Sequence, residues 1–291
     1  AAQRQLERII LKQLKIARKK YGFNKLCISG GVGLNCSLNG KIEQSKIFDE
    51  IFVQPASGDN GTAIGACYLT YKKYKKDLKP KKNHNFYLGS SFTNNQIEIE
   101  LNNQGLSYTK STNVYYDTAK HIADKKIIGW FQGSAEAGPR ALGNRSILVT
   151  PVEGMKDYLN KKVKFREEFR PFAPAILSEY TSEYFDISQE SPHMLMACQV
   201  KEEAKSKIPA VVHVDNSARV QTVKESNNFR FRKLLESVNE LTQIPVLLNT
   251  SFNVKGQPIV NDPYDAIKCF LDTNIDVLVM GDYIIEKQWI Y

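Results

Sequence analysis

Lys25-Leu26-Cys27-Ile28-Ser29-Gly30-Gly31-Val32-Gly33 and, one helix further on, Glu50-Ile51-Phe52-Val53 with Ser57-Gly58-Asp59-Asn60-Gly61 decide the fold class. Each is a short apolar run that stops at a glycine-rich turn. A helical pattern follows each turn, from about Leu34 to Ile42 and then from Thr62 to Tyr74. Strand, glycine turn and helix, repeated in tandem, spell an α/β sheet. Such turns bring backbone N–H groups to helix N-termini, which suits a phosphate or a metal-phosphate. The glycines alone decide less. Gly30 to Gly33 lacks the later glycine of a dinucleotide fingerprint, and no Lys-Ser/Thr pair follows to make a P-loop. Any tight strand-to-helix connection needs glycine.

Before this unit, Leu6, Ile9, Ile10, Leu14 and Ala17 recur at helical spacing from almost the first residue. That abrupt start predicts a chain belonging to something longer. After it, Tyr71 to Asn85 is dense in lysine, holds a proline and has no apolar periodicity. It reads as a boundary between a unit at 1–84 and a second at 85–291. In the second unit the pattern predicts strands over Tyr108–Tyr116, Lys126–Phe131, Phe172–Leu177, Ala210–Asp215 and Pro245–Leu248. Helices are expected over Thr118–Asp124, Met155–Val163 and Phe231–Leu241. Asp262-Pro263 is a cap followed by proline at the first helical position, and Val277–Met280 with Tyr283–Glu286 reads as a hairpin. Strands alternate with helices throughout.

The chain has 291 residues, 42% hydrophobic and 24% charged, with a net charge of +9. That is enough for a packed core and about two domains on the usual ~150-residue prior. The charge permits nucleic acid, a phosphorylated ligand or an acidic partner, but the lysines are spread out and nucleic acid is not favoured. Cys27, Cys36, Cys67, Cys198 and Cys269 form no CxxC or Cys/His cluster, so neither a zinc site nor a disulfide framework is indicated. The natural compartment is a reducing cytoplasm. No apolar run approaches the ~20 residues of a membrane span.

The chemistry concentrates between Gly129 and Pro174. Arg140 and Arg145 sit in Gly138-Pro139-Arg140-Ala141-Leu142-Gly143-Asn144-Arg145-Ser146, and Lys164, Arg166 and Arg170 in Lys164-Phe165-Arg166-Glu167-Glu168-Phe169-Arg170-Pro171-Phe172. Solvated charge normally lies on Lys/Glu-rich helix faces, whereas arginine among Gly, Pro and Phe suggests cations held by packing. The arginine fork matches phosphate or carboxylate oxygens two at a time. A convergent cluster would be strained without an anion in it. The other reading is structural ion pairing with Glu136, Glu153, Glu167 and Glu168, and local sequence leaves both open. Ligands of open α/β sheets bind beyond strand ends, where this chain has His213, Asp215 and Arg219, then Asn249-Thr250-Ser251-Phe252-Asn253. Four polar residues in five exceed what one turn needs. His213 and Asp215 alternate along an expected strand and would share a face.

Together, the runs at 138–146, 166–174, 213–223 and 247–253 resemble the carbamoyltransferase family of nodulation-factor and antibiotic biosynthesis. The glycine turns at Gly30–Asn35 and Gly58–Gly65 are similar to the second half of its actin-like (ASKHA, TsaD-like) domain. The resemblance implies a YrdC-like domain with a mixed sheet that uses carbamoyl phosphate and ATP, with Mg2+, to make carbamoyladenylate. An iron-bearing ASKHA domain would then transfer the carbamoyl group to a small-molecule or sugar hydroxyl. On this resemblance Lys164, Arg166, Arg170 and Arg219 are the catalytic cations. Arg140, Arg145, His213, Asn249 and Ser251 bind substrate, Gly30, Gly31 and Asn35 face the nucleotide, and Asp59 is a metal ligand. The family also allows a homodimer.

The chain departs from the family at Ser134-Ala135, where Arg-Met is usual, and at Ala137, where the family has an aromatic residue. It departs again at His193 for Phe and at Asn216-Ser217 for Gly-Thr. The family's His-x-x-x-His metal ligands lie in an N-terminal half not contained here, and neither His84 nor His121 has a histidine four residues away. Two other readings are a non-catalytic YrdC-like module that holds nucleotide or RNA, and a tRNA threonylcarbamoyl-type enzyme.

Overall fold

The computed structural model describes residues 1–75 and 85–287. Residues 76–84, which hold most of the expected lysine-rich boundary and His84, lie outside the described residues. Strands β1 (Lys25–Ile28) and β2 (Glu50–Val53) pair in parallel by themselves. There follow β3 (Thr109–Lys110), β4 (Ile128–Phe131), β5 (Arg145–Val149), β6 (Ala173–Leu177) and β7 (Phe185–Asp186). The last are β8 (Ala197–Val200), β9 (Ser217–Arg219), β10 (Gln221–Val223), β11 (Val246–Ser251), β12 (Val277–Met280) and β13 (Tyr283–Glu286). Eight of them form one sheet in the order β10-β6-β11-β5-β4-β12-β13-β3, and β7-β8-β9 form a small antiparallel one. Within the large sheet only β10–β6 and β4–β12 run parallel. The fold is therefore α/β with a mixed sheet.

Strands β4, β6 and β12 are buried along their whole length, which is why their sequences are continuously apolar instead of alternating; β5 is as buried but opens with Arg145-Ser146. Period two still sorts their side chains. Ile128, Trp130, Leu148, Ala175 and Val279 face the helices Val114–Ala123 and Phe229–Thr242. Phe131, Ile147, Ile176, Leu278 and Met280 face the opposite core with Leu101, Leu159, Phe252 and Phe270. Trp130 keeps its N–H satisfied by donating to Gly143 O at 2.9 Å. At Gly143 (φ 99) a Cβ would lie 2.2 Å from the Phe231 ring, so only glycine lets the loop before β5 pass that close.

Local chemistry placed several elements correctly. Thr62–Tyr74 is a helix, Asp262 accepts from Asp265 N at 2.9 Å ahead of Pro263, and β12 and β13 form the expected hairpin. Three expectations are corrected. Ala210–Asp215 is not a strand: Pro209–Val211 is a 3-10 turn, Val214 is 96% exposed, and Asn216 takes φ 61. Asp215 Oδ1 accepts from Ser217 N and Oγ at 3.1 and 2.6 Å, so an Asx turn outweighs the β propensity of three valines. His213 and Asp215 accordingly share no strand face. Of Tyr108–Tyr116 only Thr109–Lys110 is strand, because Asn113 caps a helix that takes in Tyr115 and Tyr116. Strand β11 runs on to Ser251, so Asn249 and Ser251 are sheet residues and not a turn.

Residues 1–75 rest on the segment 187–197. Asn39 Nδ2 donates to Gly33 O and Leu195 O, both at 2.8 Å, and Glu43 accepts from Ser188 N at 3.0 Å. Leu38, Ile42, Ile51 and Val53 pack with Leu195 and Met196. The helices Ala2–Tyr21 and Thr62–Tyr74 bury no residue.

Candidate functional site

Four segments meet at one end of the large sheet: the turn Pro139-Arg140, the segment from Arg166 to Ala173, the end of β9, and Asn249–Ser251 of β11. With Met194 they enclose a cavity of about 130 Å³ lined by Arg140, Arg166, Arg219, Asn249 and Ser251 among others, and by no Asp or Glu. The ion pairs that arginines make among the described residues are those of Arg170 and Arg232. Arg166 Nε donates to Asn160 Oδ1 at 2.7 Å, and its guanidinium stands 4.6 Å over the Phe172 ring. Cys36 is a hydrogen-bond partner of Arg219. The Nε atoms of Arg140 and Arg219 are buried with no partner. Burial pushes Arg219 down to about 10, with repulsion from Arg140 next. It does the same to Arg166, helped by Arg170.

The glutamates that might have neutralised this cluster are engaged elsewhere. Glu136 Oε1 accepts from the backbone N–H of Leu142, Asn144 and Arg145 at 2.7, 2.8 and 3.2 Å. Glu167 lies 3.8 Å from Arg170 and 3.9 Å from Lys255. The ion-pair reading therefore fails for Arg140, Arg166 and Arg219. Two like charges about 4 Å apart near a protein surface repel by roughly 4 kcal/mol, so an anion between these guanidiniums would relieve their repulsion.

The other residues of the cluster are placed differently. Lys164 is 3% exposed, lies outside the cavity lining and donates to Ser251 O, Asn253 O and Asn253 Oδ1 at 2.7, 2.8 and 2.8 Å, with Ser251 Oγ at 3.3 Å. It pins the end of β11. Arg170 is half-exposed at the rim, outside the cavity lining. Arg145 is fully buried; it donates to Gln132 O, Gly133 O, Asn144 O and Ser90 O at 2.7, 3.2, 3.1 and 3.0 Å over the Phe131 ring, and does not reach the cavity. His213 bonds to Phe172 O at 3.3 Å and Ser217 Oγ at 3.4 Å, bracing the cavity wall from behind, and burial lowers its pKa.

Sequence reasoning missed Asn160, Gln221 and Met194. Asn160, fully buried, also donates to Glu168 O and Arg170 O at 3.1 and 3.0 Å and so fixes the loop that carries Arg166. Its only signal was an uncharged amide beside Leu159 in a lysine-rich helix. Met194 lines the cavity from a left-handed backbone (φ 55) that no pattern announced.

Lys164 is expected to give anion binding at the cavity a pH dependence. Burial pushes its pKa down to about 7, and repulsion from Arg166 adds to that. An anion beside Arg166 offsets the repulsion and raises the pKa, so binding takes up a proton near neutrality. Affinity for sulfate, whose own charge is constant, is expected to fall as pH rises from 7 to 9, by up to about tenfold per unit. Calorimetry in buffers of different ionisation heat should record the proton uptake; a flat profile would exclude this coupling.

The glycine turns line a second cavity, of about 410 Å³, which brings Gly30, Gly31 and Asp59 together with Ser57 and Tyr68. Gly30 holds φ 95, a conformation that favours glycine. Asn35 is not part of it: its Oδ1 accepts from Leu38 N at 3.0 Å as a helix cap, and its amide pairs with Gln3. Asp59 is exposed, and among the described residues no group of three or more His, Cys, Asp or Glu is placed to hold a metal ion. His121 Nδ1 stands 3.2 Å from Lys126 Nζ. The loop before Arg140 packs on the segment before the second glycine turn, where a Cβ on Gly138 would stand 3.0 Å from Pro55 O. Among the described residues no helix is long and apolar enough to cross a membrane.

The family model of the carbamoyltransferase N-terminus matches residues 1–68, and that of the carbamoyltransferase C-terminus matches residues 119–287. An uncharacterized protein of Synechocystis sp. is 39% identical over 97% of this chain and 50% of its own length. Nodulation protein NolO of Bradyrhizobium diazoefficiens is 40% identical over 98% of this chain and 54% of its own. Nodulation protein NolNO of Sinorhizobium fredii is 40% identical over 98% and 43%. The chain spans about half the length of the curated relatives it matches. A crystal structure of full-length HypF in the phosphate- and nucleotide-bound form is similar over 60% of this chain and 22% of its own, with 18% identity and a TM-score of 0.41, too slight a likeness to argue from.

Proposed function

Since the chain belongs to the carbamoyltransferase family, we propose that it is the activating part of an ATP-dependent O-carbamoyltransferase. Water cleaves carbamoyl phosphate to carbamate and phosphate, carbamate displaces pyrophosphate from ATP to give carbamoyladenylate, and the carbamoyl group then passes to a small-molecule or sugar hydroxyl as AMP leaves. The observation that carries this reading is the carboxylate-free cavity on which Arg140, Arg166 and Arg219 converge. Phosphoryl and acyl-phosphate chemistry asks a protein mainly for positioned cations and little for a general base. Arg140, Arg166 and Arg219 hold the phosphate, Arg170 joins them from the rim, and Ser251 closes the wall. Lys164, His213 and Arg145 act through the residues they position. In this reading residues 85–291 are the YrdC-like unit, and residues 1–84 belong to an ASKHA-type unit whose turns at Gly30 and Asp59 face the nucleotide. Mg2+ would arrive with ATP. The described residues do not fit the iron that the family resemblance implies, because no group of three or more His, Cys, Asp or Glu forms around Asp59 among them. No step is therefore routed through it.

The test is a thermal-shift titration followed by mass analysis. A ligand at a hundred times its dissociation constant stabilises by about 2.7 kcal/mol, so carbamoyl phosphate and ATP should each raise the melting temperature. Together they should yield carbamoyladenylate. No shift with either ligand would sink the proposal.

A further inference from the structure

We infer that Asn249 accepts a hydrogen bond from the NH2 of the carbamoyl group, so that the arginine cavity distinguishes an acyl phosphate bearing NH2 from one bearing a methyl group. The inference rests on the carbamoyl-phosphate reading above and deepens it.

The orientation of the Asn249 amide is fixed from a distance. Leu142 O can only accept, and it accepts from Gln221 Nε2 at 2.8 Å. That turns Gln221 Oε1 toward Asn249, whose Nδ2 donates to it at 2.9 Å and also reaches Ala141 O at 3.3 Å. Flipping either amide would set oxygen against oxygen. Asn249 Oδ1 is then left buried with no partner, on a side chain that is 1% exposed in a residue that lines the cavity. Buried polar atoms are nearly always paired, and an orphan in a pocket calls for a donor on the ligand. The arginines around it can only donate. A ligand that satisfies both needs an anionic end for the guanidiniums and an N–H end for Oδ1. Carbamoyl phosphate has both; acetyl phosphate has the same anion and nearly the same shape but no N–H.

A site built to bond a ligand N–H rejects the analogue that leaves its acceptor unpaired, here by about 10- to 100-fold. The experiment measures dissociation constants of the wild-type chain for carbamoyl phosphate, acetyl phosphate and sulfate by calorimetry. Carbamoyl phosphate should bind at least about tenfold more tightly than acetyl phosphate. Equal affinities would overturn the role of Asn249 while leaving the carbamoyl-phosphate reading intact. Binding of sulfate but not of carbamoyl phosphate would overturn both. Asn249→Ala should remove the preference for carbamoyl phosphate over acetyl phosphate, whatever the common change in affinity for anions that the sulfate titration records. A variant that keeps the wild-type preference would refute the assignment, and if it does not fold, the wild-type comparison decides.

Discussion

Arg219→Met is expected to abolish useful binding of phosphate-bearing ligands and, at the same time, to raise the melting temperature of the ligand-free protein. Both effects follow from one fact: Arg219 is a partly buried cation with Arg140 beside it, no ion pair, and a buried Nε without a partner. Without a ligand the charge is a liability, since desolvation and repulsion both act against it. Methionine keeps most of the volume and removes the charge, and replacing a buried charge that lacks its counter-ion is stabilising as often as not. With a ligand the balance reverses. A charge-assisted hydrogen bond contributes about 1.5–3 kcal/mol, so its loss weakens binding by about 10- to 150-fold. Thermal melts with and without carbamoyl phosphate read both signs in one experiment. A lower melting temperature with an undiminished ligand shift would mean that Arg219 supports the fold and not the ligand.

How far this was legible in the sequence depends on whether a residue's role is local. Arginines set among Gly, Pro and Phe, away from any helix face, pointed to cations held by packing, and Arg140, Arg166 and Arg219 line one cavity. The α/β class came from strand–glycine–helix repeats, and the Asp262 cap from its own side chain. What failed was tertiary. Arg140 and Arg145 sit in one motif and look alike in sequence, but Arg145 begins β5 opposite Phe131 and is drawn into the core. The valines around His213 promised a strand until Pro209 and the Asx turn at Asp215 intervened. Asn249 read as a ligand-binding residue just beyond a strand end, and its place inside β11 was hidden because its partner Gln221 is distant in sequence. Only the register of β11 between β5 and β6, with β10 alongside β6, brings the two amides together.

Arg145→Met is expected to have the opposite effect on stability. Arg145 is also buried and lacks an ion pair, and burial pushes its pKa down to about 10 although Glu136 partly offsets this. Its environment differs in kind from that of Arg219. Four carbonyls, on Gln132, Gly133, Asn144 and Ser90, accept from its Nη atoms, and the guanidinium carbon lies 3.6 Å from the centre of the Phe131 ring. Asn144 O and Ser90 O also accept from Gln132 N and Ala135 N, both at 2.9 Å, but Gln132 O and Gly133 O rely on Arg145, so removing the donor leaves those two acceptors unsatisfied at once. Breaking one side of a buried charged network costs about 3–5 kcal/mol, and at ~2–4 °C per kcal/mol for a large domain the melting temperature should fall by about 10 °C. Denaturant midpoints would give the same loss independently. The folded variant should still bind sulfate with nearly wild-type affinity, because Arg145 does not reach the cavity. A loss below about 1 kcal/mol, the scale of one ordinary hydrogen bond, would mean that water replaces the guanidinium. Loss of sulfate binding with the fold intact would instead return Arg145 to the ligand.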